Sequence, residues 1–228
     1  MTGVQTCALP ILLSGSAIRY KFYSAWGFSA AKIAQIITFC NLSFWLGLFA
    51  VGGTVFAFTP LAIPKQLNLP FLSVRPLGFI FLAVITAYLL WSGLSQKQLK
   101  IRNWVFPHLP FKLSVAQIVL TSLDWMFAAA VLYALLPVPK HISFFSFFGI
   151  YLLAQLAGII SNVPGGLGVF ETILILLLSP PIPSASLLGA LLAYRGIYYF
   201  LPLGVSILML LWYEFKQRRT RKAINTQN

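Results

Sequence analysis

The sequence predicts an all-α integral membrane protein, a polytopic helical bundle of about six membrane segments with a broken, re-entrant helix at a Pro-Gly-Gly-Leu-Gly motif. Three observations carry this. Hydrophobic residues make up 59% of the 228 residues and charged residues 8%, where soluble chains hold about 45–50% and about 25%; so little charge cannot cover a water-facing surface. The apolar residues gather into runs close to the ~20 helical residues that span ~30 Å of hydrocarbon. The 16 Lys and Arg against 3 acids would suggest nucleic-acid binding in a soluble protein, but here they cluster between the runs, where they set topology.

Residues 1–10 are polar and lack the basic start and apolar core of a signal peptide. The string from Thr2 to Ile11 resembles translated sequencing adapter, so 1–10 is expected to be a non-native leader and the native chain to be cut upstream of about Ile11. Cys40 is then the one native cysteine, which rules out a disulfide framework or a thiolate metal site. From Ser14 to Tyr23, small residues lead into the basic-aromatic group Arg19, Tyr20, Lys21, Phe22 and Tyr23, read as an interfacial helix with snorkelling bases.

The runs 33–58, 76–94, 115–136 and 144–160 are expected to span. Run 167–178 is too short, its 12 residues reaching only about 18 Å. A sixth runs over 187–212. With the N-terminal side cytoplasmic, twelve bases lie inside: Arg19, Lys21 and Lys32, then Lys97, Lys100, Arg102 and Lys112, then Lys216, Arg218, Arg219, Arg221 and Lys222. Only Lys65, Arg75 and Lys140 lie outside. The positive-inside rule therefore places both the N-terminal side and the C-terminus in the cytoplasm. Trp104, Tyr133, Trp212 and Tyr213 stand at span ends as interfacial anchors. The basic tail 216–228 lies against anionic headgroups, as a topology signal or a lipid contact.

The stretch from Ser161 to Glu171 reads Ser-Asn-Val-Pro-Gly-Gly-Leu-Gly-Val-Phe-Glu. Pro164, Gly165, Gly166 and Gly168 break the helix, and unwound backbone at membrane depth survives only where protein or a wet cavity satisfies it. Half-helices with free amides build substrate sites in transporters; the other reading is a tight cytoplasmic turn with glycines at positive φ. It is no phosphate loop, lacking the third glycine of a dinucleotide fingerprint and the Lys-Ser/Thr of a P-loop.

Asp124 and Arg195 are the charges within the full-length spans, each about 14–15 Å from a span end. Such charges face the bundle interior, paired or hydrated. They pair with each other, or Arg195 stays partly free for a lipid phosphate, whose geometry suits its planar fork. Glu171 then either neutralises Arg195 or receives an ammonium headgroup. Tyr194, Tyr198 and Tyr199 flank Arg195 with hydroxyls or a cation–π face, or simply pack.

Three stretches together resemble the lysylphosphatidylglycerol synthase/flippase transmembrane family: Ser14 to Ser29, Asn162 to Glu171, and Tyr194-Arg-Gly-Ile-Tyr-Tyr-Phe-Leu-Pro202. The similarity covers about 11–215 in matching order, and the Pro-Gly-Gly-Leu-Gly-x-x-Glu and Tyr-Arg-x-x-Tyr-Tyr elements are specific to the group. The resemblance implies a bacterial inner-membrane domain that moves aminoacylated phosphatidylglycerol to the outer leaflet, lowering negative surface charge and protecting against cationic antimicrobial peptides. In the family a separate cytosolic domain makes that lipid from lysyl-tRNA and phosphatidylglycerol. The family's motif residues fall on Arg19, the 164–168 loop, Glu171 and Arg195. The implied headgroup site comprises Arg19, Asn162, Pro164, Gly165, Gly166, Gly168, Glu171, Arg195, Tyr198 and Tyr199, with Asp124 as intramembrane charge partner.

The expected organisation is thus a leader (1–10), a flippase-like transmembrane domain truncated at its N-terminus (11–215) and a basic cytoplasmic tail (216–228). The expected partners are a phospholipid and the bilayer, not nucleic acid, with a homo-oligomer allowed and no cofactor, metal or catalytic residue. These residues carry no transferase domain, so the chain is either a stand-alone translocase or the membrane part of a phosphatidylglycerol lysyltransferase. An integral-membrane lipid-modifying enzyme is disfavoured: the acids are Asp124, Glu171 and Glu214, and His108 and His141 lie in opposite loops, leaving no paired carboxylates or His-centred metal site. A non-transporting scaffold is the remaining alternative.

Overall fold

The computed structural model describes residues 20, 22–59, 73–94, 99–101, 104–106, 109–137, 142–179 and 181–225, with side chains described outside 99–106 and 214–225. Arg19 and the 1–10 segment lie outside the described residues.

The architecture is helical throughout its bulk. Helix α1 (Ala30–Phe58) starts at Ser29, whose hydroxyl accepts from the Lys32 amide. It ends where Thr59 turns extended, as expected of a residue preceding proline. Helix α2 covers Arg75–Leu94. A short antiparallel hairpin follows, β1 (Leu99–Ile101) against β2 (Trp104–Phe106), where the sequence indicates only a polar loop. Helix α3 (Phe111–Leu135) follows Pro110 and begins four residues earlier than the hydropathic run. Helix α4 (Phe144–Ile160) is capped by the Ser143 hydroxyl, which accepts from the Ser146 amide at 3.3 Å. A 3₁₀ turn (Pro164–Gly166) leads to the short α5 (Val169–Leu178). Helix α6 (Ser184–Arg195) passes through a π turn (Gly196–Phe200) into α7 (Leu201–Asn225).

Among the described residues, four helical stretches are long and apolar enough to cross a membrane: α1, α2, α3 and the continuous run Ser184–Tyr213. Helices α4 and α5 have 17 and 10 residues, or about 25 and 15 Å, and form the two arms of the broken element. The chain is a multi-pass membrane protein.

Two environments divide the side chains. Leu48, Phe56, Leu132, Phe147, Leu152 and Leu174 form a buried core among α1, α3, α4 and α5. Phe79, Leu120, Phe127, Leu192 and Leu208 point outward, more than half exposed, as residues facing hydrocarbon do. Between helices, lipid supplies no hydrophobic drive, so association depends on close contact and interhelical hydrogen bonds. A Cβ on Gly47 would lie 2.7 Å from the Thr121 Cβ, and one on Gly78 2.5 Å from the Ala57 backbone nitrogen. A polar network adds the second ingredient. Tyr88 on α2 donates to the Gln117 amide oxygen on α3 at 2.9 Å, and the Gln117 nitrogen donates to the Ser43 hydroxyl on α1 at 2.6 Å. Ser92 and Ser114 meet at 2.7 Å.

The π turn has a specific cause. Pro202 has no N–H to give the Tyr198 carbonyl four residues back, and its ring crowds that carbonyl. The ladder widens instead, and the Leu201 amide donates to the Gly196 carbonyl. Such turns concentrate at functional sites, and this one follows Arg195 directly.

Candidate functional site: a broken helix anchored by Arg195

After Ile160 the chain cannot continue as a helix. Asn162 has φ 54°, and Gly165, Gly166 and Gly168 have φ of 65°, 62° and 83°, the left-handed region that favours glycine. Gly166 also packs on Gly158 of α4: a Cβ would lie 3.2 Å from the Gly158 Cα. The loop is therefore a compact reversal set against its own helix. Its outward side chains are Ile160, Val163 and Leu167, at 74%, 36% and 58% exposure; an apolar rim of this kind suits hydrocarbon better than water.

Glu171 enters α5 in its first turn. One carboxylate oxygen accepts from the Gly168 amide at 2.8 Å, satisfying a donor orphaned at the helix start and matching the helix dipole. The other accepts from Arg195 Nε, and Arg195 Nη2 lies 2.5 Å from the same oxygen. Arg195 Nη2 also donates to the Gly165 carbonyl at 3.4 Å. Both charged side chains are largely buried, 13% and 18% exposed. One guanidinium thus ties together the loop, the start of α5 and the end of α6. Among the described residues, Nη1 makes no hydrogen bond, so the fork keeps free donors.

The position of Arg195 fixes the depth of the loop. It stands 11 residues along from Ser184 in the long run to Tyr213, or about 16 Å. The loop it holds therefore lies beside the body of that helix, not beyond its end. The helix broken at the Pro-Gly-Gly-Leu-Gly motif therefore turns back beside the bundle, as a re-entrant element does.

Against expectation, Arg195 does not pair with Asp124. Arg195 takes Glu171, which the Gly168 amide and the α5 start hold within reach of the fork. Asp124 lies midway along α3 and, among the described residues, forms no hydrogen bond or ion pair. It opens instead into a separate cavity of about 150 Å³ with Gln155, Tyr151, Trp125, Tyr198 and Tyr199 on its walls.

The tyrosines link the two regions. Tyr194 is fully buried and shares a 2.9 Å hydrogen bond with Tyr151, which accepts from Gln155 at 3.0 Å. Tyr198 stacks on Tyr194, and the Arg195 guanidinium sits 5.7 Å from the centre of the Tyr199 ring. Through the π turn, residues four and five beyond Tyr194 both reach its face. Tyr199 is thus a wall between the guanidinium and the Asp124 cavity. Asn162 and Pro164 shape the loop; the Asn162 amide donates to the nearby Ile160 carbonyl. Gln155 and Tyr151 escape the sequence reading, although a glutamine inside an apolar run is itself a signal.

A second, apolar groove of about 570 Å³ runs between α1, α2, α4 and α5, lined by Trp45, Phe49, Phe81, Leu156 and Ile173 among others. Ile159 borders both the groove and the Asp124 cavity.

Comparison with known proteins agrees with this architecture. Residues 1–206 match the family model described as the lysylphosphatidylglycerol synthase TM region. The chain is 58% identical over 211 residues to the uncharacterised protein slr0712 of Synechocystis and 29% identical over 213 residues to the inner membrane protein YbhN of Escherichia coli. Each match covers 92% of this chain and 66% of the relative. A phosphatidylglycerol lysyltransferase of Staphylococcus epidermidis is 43% identical over 93 residues, 40% of this chain and 11% of that protein. The chain belongs to the lysylphosphatidylglycerol synthase transmembrane-region family.

Proposed function

We propose that the chain is a lipid translocase domain of a bacterial inner membrane, moving a phospholipid with an anionic phosphate between leaflets. One observation carries the reading: a buried Arg195, tied to Glu171 and to a broken-helix carbonyl at mid-span, keeps donors in reserve. A charge at that depth is costly and marks a substrate path more often than a structural post. The fork suits a phosphate bidentately, and a phosphate arriving there displaces the weak 3.4 Å contact to Gly165. The apolar groove, meeting the polar cavity at Ile159, gives acyl chains a place beside a sheltered headgroup. The loop is the part whose rearrangement carries the headgroup past the ion pair. The family tie to phosphatidylglycerol lysyltransferases supports aminoacyl-phosphatidylglycerol as cargo; its display outside would reduce negative surface charge and with it sensitivity to cationic antimicrobial peptides. The twelve-to-three distribution of bases supports cytoplasmic placement of the N-terminal side and the C-terminus.

The test uses the complete protein in cells given a separate synthase for aminoacyl-phosphatidylglycerol. A membrane-impermeant amine reagent then reports the labelled outer-leaflet fraction. Wild type raises it, and Arg195→Ala and Glu171→Ala at equal membrane abundance return it to background. Unchanged labelling in both variants sinks the reading.

A further inference from the structure

We propose that the apolar groove between α1, α2, α4 and α5 holds one acyl chain and leaves any second chain in the bilayer, so that the site accepts single-chain anionic lipids, the lysophospholipids, as readily as two-chain ones. This rests on the translocase reading for the lipid phosphate at Arg195, but not for the number of chains.

Volume sets the first limit. The groove measures about 570 Å³, and at the ~30 Å³ share of one water, close to that of a methylene, it holds roughly 19 such groups. One acyl chain of common length fills it, whereas the roughly thirty groups of two such chains would need about 900 Å³. Chemistry sets the second limit. Trp45, Phe49, Phe81, Leu153, Leu156 and Ile173 supply walls, and among the described residues no charged side chain lines the groove. The two hydroxyls on its lining already serve the backbone: Ser161 donates to the Gly158 carbonyl at 2.8 Å, and Ser73 accepts from the Arg75 amide at 3.3 Å. The groove therefore takes hydrocarbon and not a headgroup.

Position supplies the other end of the ligand. Ala157 and Ile159 line the groove on either side of Gly158, and Gly158 is where Gly166 of the loop packs. The preceding loop residue, Gly165, accepts from Arg195 at 3.4 Å. On α5, Ile173 lines the groove just beyond Glu171, the partner of Arg195. An apolar slot thus lies against the loop that holds a buried base, the outline of a single-tailed anion. Lipid tails are as apolar as the groove wall, so a chain that enters gains packing but no hydrophobic drive. The phosphate at Arg195 and the fit of one chain then decide binding. A second chain gains nothing by entering, and a lipid without one loses nothing.

The test uses the purified full chain in phosphatidylcholine vesicles with two photoreactive probes at equal mole fraction, palmitoyl lysophosphatidylglycerol and dipalmitoyl phosphatidylglycerol, each carrying one mid-chain diazirine. Peptide mass spectrometry compares adducts on the α4 stretch 153–161, which borders the groove, with adducts at the outward-facing Phe127 and Leu208. In wild type the two probes are expected to label the groove within about twofold of each other. Excess unlabelled lysophosphatidylglycerol displaces the two-chain probe from it. Ala157→Phe and, as a second filling variant, Leu153→Trp lower groove labelling by both probes about tenfold and leave the outward sites unchanged. Arg195→Ala lowers it for both probes alike, by about tenfold. A lysolipid signal about tenfold below the two-chain signal in wild type overturns the proposal without reference to any variant. Groove labelling that survives either filling variant, or survives Arg195→Ala, marks ordinary bilayer lipid and overturns it too. The two readings fail separately. Equal, Arg195-dependent labelling without leaflet movement removes the translocase and keeps the one-chain groove; movement of the two-chain lipid without lysolipid labelling removes only the one-chain groove.

Discussion

Arg195 and Glu171, twenty-four residues apart, meet through a single carboxylate oxygen, which faces both Nε and Nη2 of the guanidinium. The second oxygen is held by the Gly168 amide. The ion pair is therefore the clasp of the broken helix, because its two members belong to elements that otherwise share only limited packing.

Removing one half of a buried pair leaves the other charge uncompensated, at a cost of about 3–5 kcal/mol. Glu171→Ala and Arg195→Ala are each expected to destabilise by about 3 kcal/mol. The double variant should recover at least about 1 kcal/mol of their sum. Unfolding of all four proteins in one detergent measures the coupling, and strict additivity would contradict a direct pair.

The loop glycines separate backbone strain from crowding. Gly168 has φ 83° with nothing within 4 Å of a new Cβ, so Gly168→Ala incurs backbone strain alone, about 1 kcal/mol. Gly166 combines φ 62° with the Gly158 backbone at 3.2 Å, so Gly166→Ala should destabilise by about 2 kcal/mol or more. Gly189 lies within α6 with open space around it, and Gly189→Ala should stabilise by up to about 1 kcal/mol. The predicted order of unfolding midpoints is Gly189→Ala, wild type, Gly168→Ala, Gly166→Ala; any other order counts against the loop geometry.

Much of this architecture is legible in the sequence. Period-free apolar runs bounded by prolines and bases place each helix within a few residues, because membrane spans need length and apolarity more than facial pattern. The glycines after Pro164 place the break. Pair identity is harder. Asp124 and Arg195 look like partners from depth alone, but depth says nothing about which faces meet, and Glu171 is placed by the loop that turns it inward. The Ser43–Gln117–Tyr88 link is equally obscure in one dimension, although Ser114 and Gln117 are spaced to share a helix face. The π turn was readable in principle: a proline seven residues after Arg195 removes a donor inside a helix, and the carbonyl it abandons belongs to Tyr198.

The orientation proposed from the bases is testable without any lipid assay. A fluorescent protein fused after Asn228 should fluoresce, and alkaline phosphatase fused there should be inactive. Fusions in the 137–143 connection should give the opposite pattern. Reversal of both would mean that the twelve bases do not set topology.

Pro202→Ala separates the stability of the site from its shape. The alanine supplies the missing N–H and removes the ring, and proline within a helix costs about 3 kcal/mol relative to alanine. The variant should therefore be at least as stable as wild type. Relaxing the π turn into regular helix also changes the rotation of the residues that precede Leu201, so Tyr198 and Tyr199 no longer both reach Tyr194, and Tyr199 leaves the guanidinium. Arg195 and Glu171 stay in place, since both precede the turn. Outer-leaflet labelling is expected to fall about tenfold, equivalent to ~1.4 kcal/mol, while unfolding shifts upward or not at all. Full labelling in a Pro202→Ala protein of equal or greater stability would mean that the tyrosine wall takes no part in moving the lipid.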